Sequence, residues 1–174
     1  LLVGVLSRRS RGVGSFASMN ELPGVAGAIL RARPTHGFCV LEMSEGAPGA
    51  LESPLALVRP TIGIVTVIGN DHWSAFKSRD AIAQEVGKLI ESLPATGTAV
   101  LNADDPLVVS MAERARARVL LYGTSPGAEL RAENVRAAWP DRLRMTLVHG
   151  EERVPLDTQL CGPHWLPAVL GAIG

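Results

Sequence analysis

Thr61-Ile62-Gly63-Ile64-Val65-Thr66-Val67-Ile68-Gly69-Asn70-Asp71-His72 decides the fold of this 174-residue chain. From Thr61 to Ile68 β-branched side chains dominate. They are stiff at χ1 and suit a pleated, packed surface, so the run reads as a strand with Gly63 its one weak position. The polar group Gly69-Asn70-Asp71-His72 follows at once, beyond the carboxyl end of that strand.

Downstream, Ser78 to Leu93 predicts an amphipathic helix. Ser78 is placed to cap it, Asp80 suits the positive end of the helix dipole, and Ile82, Val86, Leu89, Ile90 and Leu93 form an apolar stripe. Pro94-Ala95-Thr96-Gly97 makes a turn, Thr98 to Leu101 a strand, Pro106 to Ala115 a helix and Arg118 to Tyr122 a further strand. Upstream, Pro48 to Val58 suits a helix closed by Arg59-Pro60, and Phe38 to Met43 reads as a short buried strand. Gly24 to Arg33 has helical spacing and stops before Pro34. Leu1 to Ser7 reads as the tail of a helix, followed by an Arg-rich turn to Gly14. Strand and helix alternate, so the expected fold is α/β, a mostly parallel sheet flanked by helices. After Gly123 the pattern changes. Leu130 to Val135, Leu143 to Val148 and Arg153 to Leu156, with short turns between them, predict a small antiparallel meander at the C-terminal end of the sheet.

Composition narrows the function. The chain holds 47% hydrophobic and 20% charged residues, within the ordinary globular range for one domain. Basic and acidic residues balance at 17 each, which gives no support to a nucleic-acid or anionic-membrane surface. No run approaches the ~20 apolar residues of a membrane span, and the arginines after Leu1 to Leu6 reverse the charge order of a signal peptide. Cys39 and Cys161 lie far apart and outside metal-type spacing; Cys39 is expected to be a buried free thiol, as in a reducing cytosol. Both termini read as cuts through a longer protein.

In an open parallel sheet, ligands sit beyond the carboxyl ends of the strands. Glu42 and His72 both fall at such ends, and neighbouring strands would bring carboxylate and imidazole to one crevice, suited to nucleotide-bound magnesium or manganese. The plainer reading makes them polar strand ends, although an unpaired glutamate in an apolar strand is costly. Asn102-Ala103-Asp104-Asp105-Pro106 is a third candidate, equally readable as an Asx-rich turn capping the helix that Pro106 begins. No phosphate loop, dinucleotide fingerprint or nucleophile elbow is present.

Taken in order, Ser18-Met19-Asn20-Glu21-Leu22-Pro23-Gly24-Val25, Val40-Leu41-Glu42-Met43, Ile64 to His72, Phe76-Lys77-Ser78, Val100 to Pro106, Tyr122-Gly123 and Gly162-Pro163-His164-Trp165 resemble the central domain of the Mur ligase family. The likeness is greatest to the branch adding D-alanyl-D-alanine to a UDP-muramyl tripeptide, and to related amide ligases. The resemblance implies a cytoplasmic, ATP- and Mg2+-dependent ligase that joins an amino acid or dipeptide to a UDP-muramyl-peptide or similar carboxylate through an acyl phosphate. It places Glu42 and His72 as metal ligands, Asn20 near substrate, and Asn102, Asp104 and His164 on the nucleotide side.

Three departures accompany the resemblance. The family's phosphate loop would precede Leu1, so the chain alone is expected to be inactive and to bind ATP poorly. Val86 stands where the family carries a carbamylated lysine, and Lys88 projects about 200° away from it on a helix. The family's His-x-x-x-Asn is His164 to Ala168 here, with Pro167 expected to disturb the helix start. These departures keep open an alternative, a degenerate, non-catalytic Mur-like domain acting as a binding or scaffold module.

Overall fold

The strands sort into two sheets. The structure, a computed structural model, describes residues 1–174. A short helix, α1 (Leu2–Leu6), leads into β1 (Gly12–Gly14), which pairs in parallel with β2 (Phe38–Val40) across α2 (Leu22–Leu30). The second sheet runs in sequence order: β3 (Ile62–Val65), β4 (Thr98–Asn102), β5 (Arg118–Gly123), β6 (Leu130–Arg136), β7 (Arg144–His149) and β8 (Glu152–Asp157). β3 to β6 are parallel, and β6, β7 and β8 form the antiparallel meander. The expected α/β class and the change of pattern after Gly123 both hold.

Side-chain alternation along β4 shows why helices cover both faces. Ala99 and Leu101 join a core with Ile82, Ile90 and Leu93 of the segment α5 (Arg79–Ser92) and its C-terminal cap. Val100 points the other way, to Leu120, Tyr122, Leu143 and Leu170 of α7 (Leu166–Gly171). Leu101, Ile90, Leu93 and Leu143 are fully buried. Each such side chain contributes roughly 1.5–3 kcal/mol of burial free energy. No helix is long and apolar enough to cross a membrane.

Several boundaries differ from expectation for identifiable reasons. β2 is three residues long and only half-buried, and Cys39 is exposed rather than buried. Phe38 and Val40 lie half-buried on one face of the two-stranded sheet, and Cys39 points to the other, more exposed face. β1 lies inside the stretch read as a turn. Gly24 to Arg33 becomes Leu22–Leu30, with Pro23 in the first turn, where its missing N–H costs nothing. α3 (Glu52–Val58) starts late because Gly49 takes a positive φ of 86°, and it ends at the left-handed Arg59 before Pro60. α6 (Pro106–Val109) tightens into a 3-10 turn over Ser110–Arg114.

β2 and β3 share no ladder, so the two sheets are joined by side chains. Glu85 of α5 is buried and accepts from the N–H groups of Gly49 (2.9 Å) and Leu51 (3.1 Å). Lys88 Nζ sits 2.9 Å from both Glu85 and Glu52. This ties the turn before α3 to α5 and thereby to the larger sheet.

Candidate active site at the strand ends

β3 leaves the ladder at Val65, and side chains take up the backbone groups that follow. The Tyr122 hydroxyl donates to the Val65 carbonyl (3.2 Å) and Asn102 Nδ2 to that of Thr66 (2.7 Å). The Ile68 N–H donates to Asp105 Oδ2 (2.9 Å), while Arg79 donates through Nε (3.0 Å) and Nη2 (2.7 Å) to the Ile68 carbonyl. A buried backbone group left without a partner costs about 1–3 kcal/mol, so these four side chains fix the path of the loop. Burial, and then the negative charge of Asp104, push the Tyr122 hydroxyl far above its usual range, which keeps it a donor.

The loop ends at His72, the N-cap of α4 (Trp73–Phe76). Its backbone is left-handed, φ 55° and ψ 26°, and its carbonyl accepts from Ala75 (2.8 Å) and Phe76 (3.3 Å). Phe76 is buried in the core, whereas the His72 side chain is exposed. Histidine adopts this backbone region more readily than most residues, for which it costs about 1–2 kcal/mol.

At the end of β2, Asn20 Nδ2 donates to Glu42 Oε1 (2.9 Å) and the Glu42 N–H to Ser15 Oγ (2.9 Å). The Ser44 N–H returns to the Asn20 carbonyl (3.0 Å), closing the two loops on each other. Asn20 and Glu42, singled out separately in the sequence, are therefore in direct contact.

Asn102 and Asp104 hold protein groups. Besides Thr66, Asn102 accepts through Oδ1 from the Asp104 N–H (2.9 Å). Asp104 receives four hydrogen bonds from the N–H and hydroxyl groups of Thr124 and Ser125. Burial works to raise its pKa, but the Ser125 hydroxyl, the two N–H groups and the Thr124 hydroxyl outweigh that and hold it below the usual carboxylate range. Gly123, with φ 156°, lets this carboxylate approach, because a Cβ there would stand 2.8 Å from it.

His164 sits in an exposed 3-10 turn, Pro163–Trp165, with its ring 5.4 Å from that of Trp165. Pro167 does not disturb the helix that follows, contrary to expectation: it occupies the first turn of α7, where proline is tolerated. Val86, on α5, packs against the core, and Lys88 is held by Glu85 and Glu52. The ammonium thus points away from the Val86 face, as the helical spacing implied.

Sequence reasoning missed Arg79, Ser15 and Glu85, gave Tyr122 no role of its own, and held Asp105 as one of a candidate cluster or a cap. Asp105 does cap α6, accepting from the Leu107 N–H (3.0 Å) with the oxygen that Ile68 does not use. A signal for Arg79 was present: an arginine at the first position of a helix opposes the helix dipole, so it needs another reason to be there.

No three histidine, cysteine or acidic side chains gather closely enough to hold a metal ion by themselves. The donor chemistry suits a cation bound largely by water and phosphate oxygens, which is how Mg2+ is usually held. Glu42 keeps one oxygen free of Asn20, and His72 offers an exposed ring.

An open sheet with polar groups at the carboxyl ends of its parallel strands defines the ligand-binding class of α/β domains. Within that class the chain belongs to the Mur ligase family, whose middle-domain model matches residues 3–174. It is 31% identical over 172 residues to the UDP-N-acetylmuramoyl-tripeptide--D-alanyl-D-alanine ligase of Mycobacterium tuberculosis, covering 99% of this chain and 34% of that protein. It is 30% identical over 167 residues to cyanophycin synthetase of Geminocystis herdmanii, covering 88% of this chain and 19% of that protein. Among solved structures, MurF from Acinetobacter baumannii superposes with a TM-score of 0.91 at 20% identity, over 99% of this chain and 38% of that one. MurF from Thermotoga maritima in complex with ADP gives 0.83 at 18% identity, over 99% and 40%. The chain thus spans about a third of the length of its ligase relatives.

Proposed function

We propose that this domain is the ATP-handling part of a cytoplasmic acid–amino acid ligase that forms a peptide bond on a UDP-muramyl-peptide or similar precursor. A substrate carboxylate oxygen attacks the γ-phosphorus of ATP, ADP departs, and an incoming amine displaces phosphate from the acyl carbon with loss of a proton. The observation that carries this reading is the pairing of Asn20 with Glu42, at the end of the smaller sheet, in a chain whose His72 loop is fixed at the end of the larger one. Mg2+ held by Glu42 and His72 would neutralise charge on the transferring phosphoryl group. Asn20 orients the Glu42 carboxylate, and Asn102 and Asp104 shape the nucleotide side by fixing the β3 loop and the turn after β5. His164, in its exposed turn, is assigned to the adenine side by the family resemblance.

A second reading, a non-catalytic Mur-like binding module, is favoured by Val86, which packs on the core and offers no amine to carbamylate. The full-length protein decides between them. With MgATP, a UDP-muramyl tripeptide and D-alanyl-D-alanine or single amino acids, phosphate release coupled to peptide-bond formation supports the ligase. Substrate binding without turnover supports the module.

A further inference from the structure

Arg79 and Asp105 lie outside the metal-binding pair, yet both act on the one residue that sets where the His72 loop starts. Ile68 is 3% exposed, with its side chain in the core. Its N–H is held by Asp105 Oδ2 at 2.9 Å and its carbonyl by two nitrogens of Arg79 at 3.0 and 2.7 Å. Arg79 Nη2 in turn lies 3.6 Å from Asp105 Oδ2, closing a ring of acid, backbone and guanidinium.

The placement of the ring matters more than its strength. Only Gly69, Asn70 and Asp71 separate Ile68 from His72, and Gly69 carries no side chain to stiffen the path. On the far side, His72 is bonded into the first turn of α4, and buried Phe76 anchors that turn. His72 therefore stands, exposed, at the α4 end of a short bridge whose other fixed end is made by Arg79 and Asp105. Arg79 itself is about half exposed, 48% at its side chain, so the core loses little packing when it is removed.

We propose that Arg79 and Asp105 are positioning residues for His72: they hold the Ile68 backbone so that the imidazole is presented in a fixed place. This rests on the reading of His72 as a metal ligand. Groups that orient a ligand without touching the ion are often worth about 10–100-fold in metal affinity. A single-nitrogen donor would hold the carbonyl less firmly than the guanidinium fork, so Arg79→Lys should restore part of what Arg79→Met removes.

The test uses the full-length protein and two readouts. Amide hydrogen exchange without metal should show residues 69–72 exchanging faster in Arg79→Met than in wild type, with β4 and α5 unchanged. Mn2+ binding in the presence of ATP, followed by electron paramagnetic resonance, should weaken about tenfold in Arg79→Met, with Arg79→Lys intermediate. Unchanged exchange at 69–72 overturns the proposal, as does exchange accelerated equally throughout the domain. So does faster loop exchange with wild-type Mn2+ affinity while His72→Asn still weakens binding. If His72→Asn leaves Mn2+ affinity untouched, the metal reading itself fails and the proposal falls with it.

Discussion

Asn20 Nδ2 lies 2.9 Å from Glu42 Oε1, so one of the two oxygens of the proposed ligand is already engaged by the protein. The carboxylate can then offer its other oxygen in a fixed direction, and the contact joins the two chain segments that close the end of the smaller sheet. Removing Asn20 should affect orientation more than stability.

Asn20→Ala in the full-length protein is expected to lower turnover about tenfold while shifting Tm by no more than about 2 °C, because the pair is exposed. Coupled phosphate release and a thermal melt measure the two quantities. Turnover equal to wild type would remove Asn20 from the site.

His72 serves two purposes, a ring and a left-handed backbone. Asparagine tolerates that backbone, whereas alanine carries a penalty of about 1–2 kcal/mol. Both His72→Asn and His72→Ala should therefore lose most ligase activity, but only the alanine variant should melt measurably earlier. Retained activity in either would count against a ligand role.

Tyr122→Phe strips the donor from the Val65 carbonyl without changing the packed ring. Urea unfolding should register a loss of about 1–2 kcal/mol. A variant as stable as wild type would mean that the carbonyl finds another partner.

Stability should fall in acid through two carboxylates. For Glu85, burial works to raise the pKa, but the Gly49 N–H, the Lys88 ammonium and the Leu51 N–H outweigh it and hold it below its ordinary 4.5. Asp104 is likewise held below 3.8. The unfolded chain then binds more protons, so the contribution is complete above those ordinary values and disappears as pH drops through the lower folded ones. Chemical denaturation from neutral pH downward should show this slope. Glu85→Gln should flatten it; an unchanged slope would exclude Glu85 as a source.

Most of the fold was legible because β-branched runs and a capped amphipathic helix carry their own period. Ser78 caps α5 as its residue type implies, accepting from the Ala81 N–H at 3.1 Å. The strand from Thr61 was overextended because Thr66, Val67 and Ile68 are as β-prone as their predecessors. What ends β3 is the set of partners that Asn102, Asp105 and Arg79 supply, and those meet only in three dimensions. Cys39 misled for a similar reason: an apolar run indicates a strand but not which of its faces the rest of the fold covers. The Asn20–Glu42 contact joins residues 22 positions apart, which no local pattern reveals.

Neighbouring strands in one sheet keep a fixed ruler, about 4.8 Å from axis to axis. β2 and β3 do not share that ruler, because no ladder joins their sheets. The proposed ligands Glu42 and His72 instead ride, like the jaws of a caliper, on separate sheets, and Glu85 and Lys88 seat α3 on α5 between them. Mg2+ takes its oxygens at about 2.0–2.1 Å and Ca2+ at about 2.3–2.6 Å, so a small change in that seat is a change of gauge. On the proposed reading, a substitution at the turn before α3 would alter cation preference without touching either ligand.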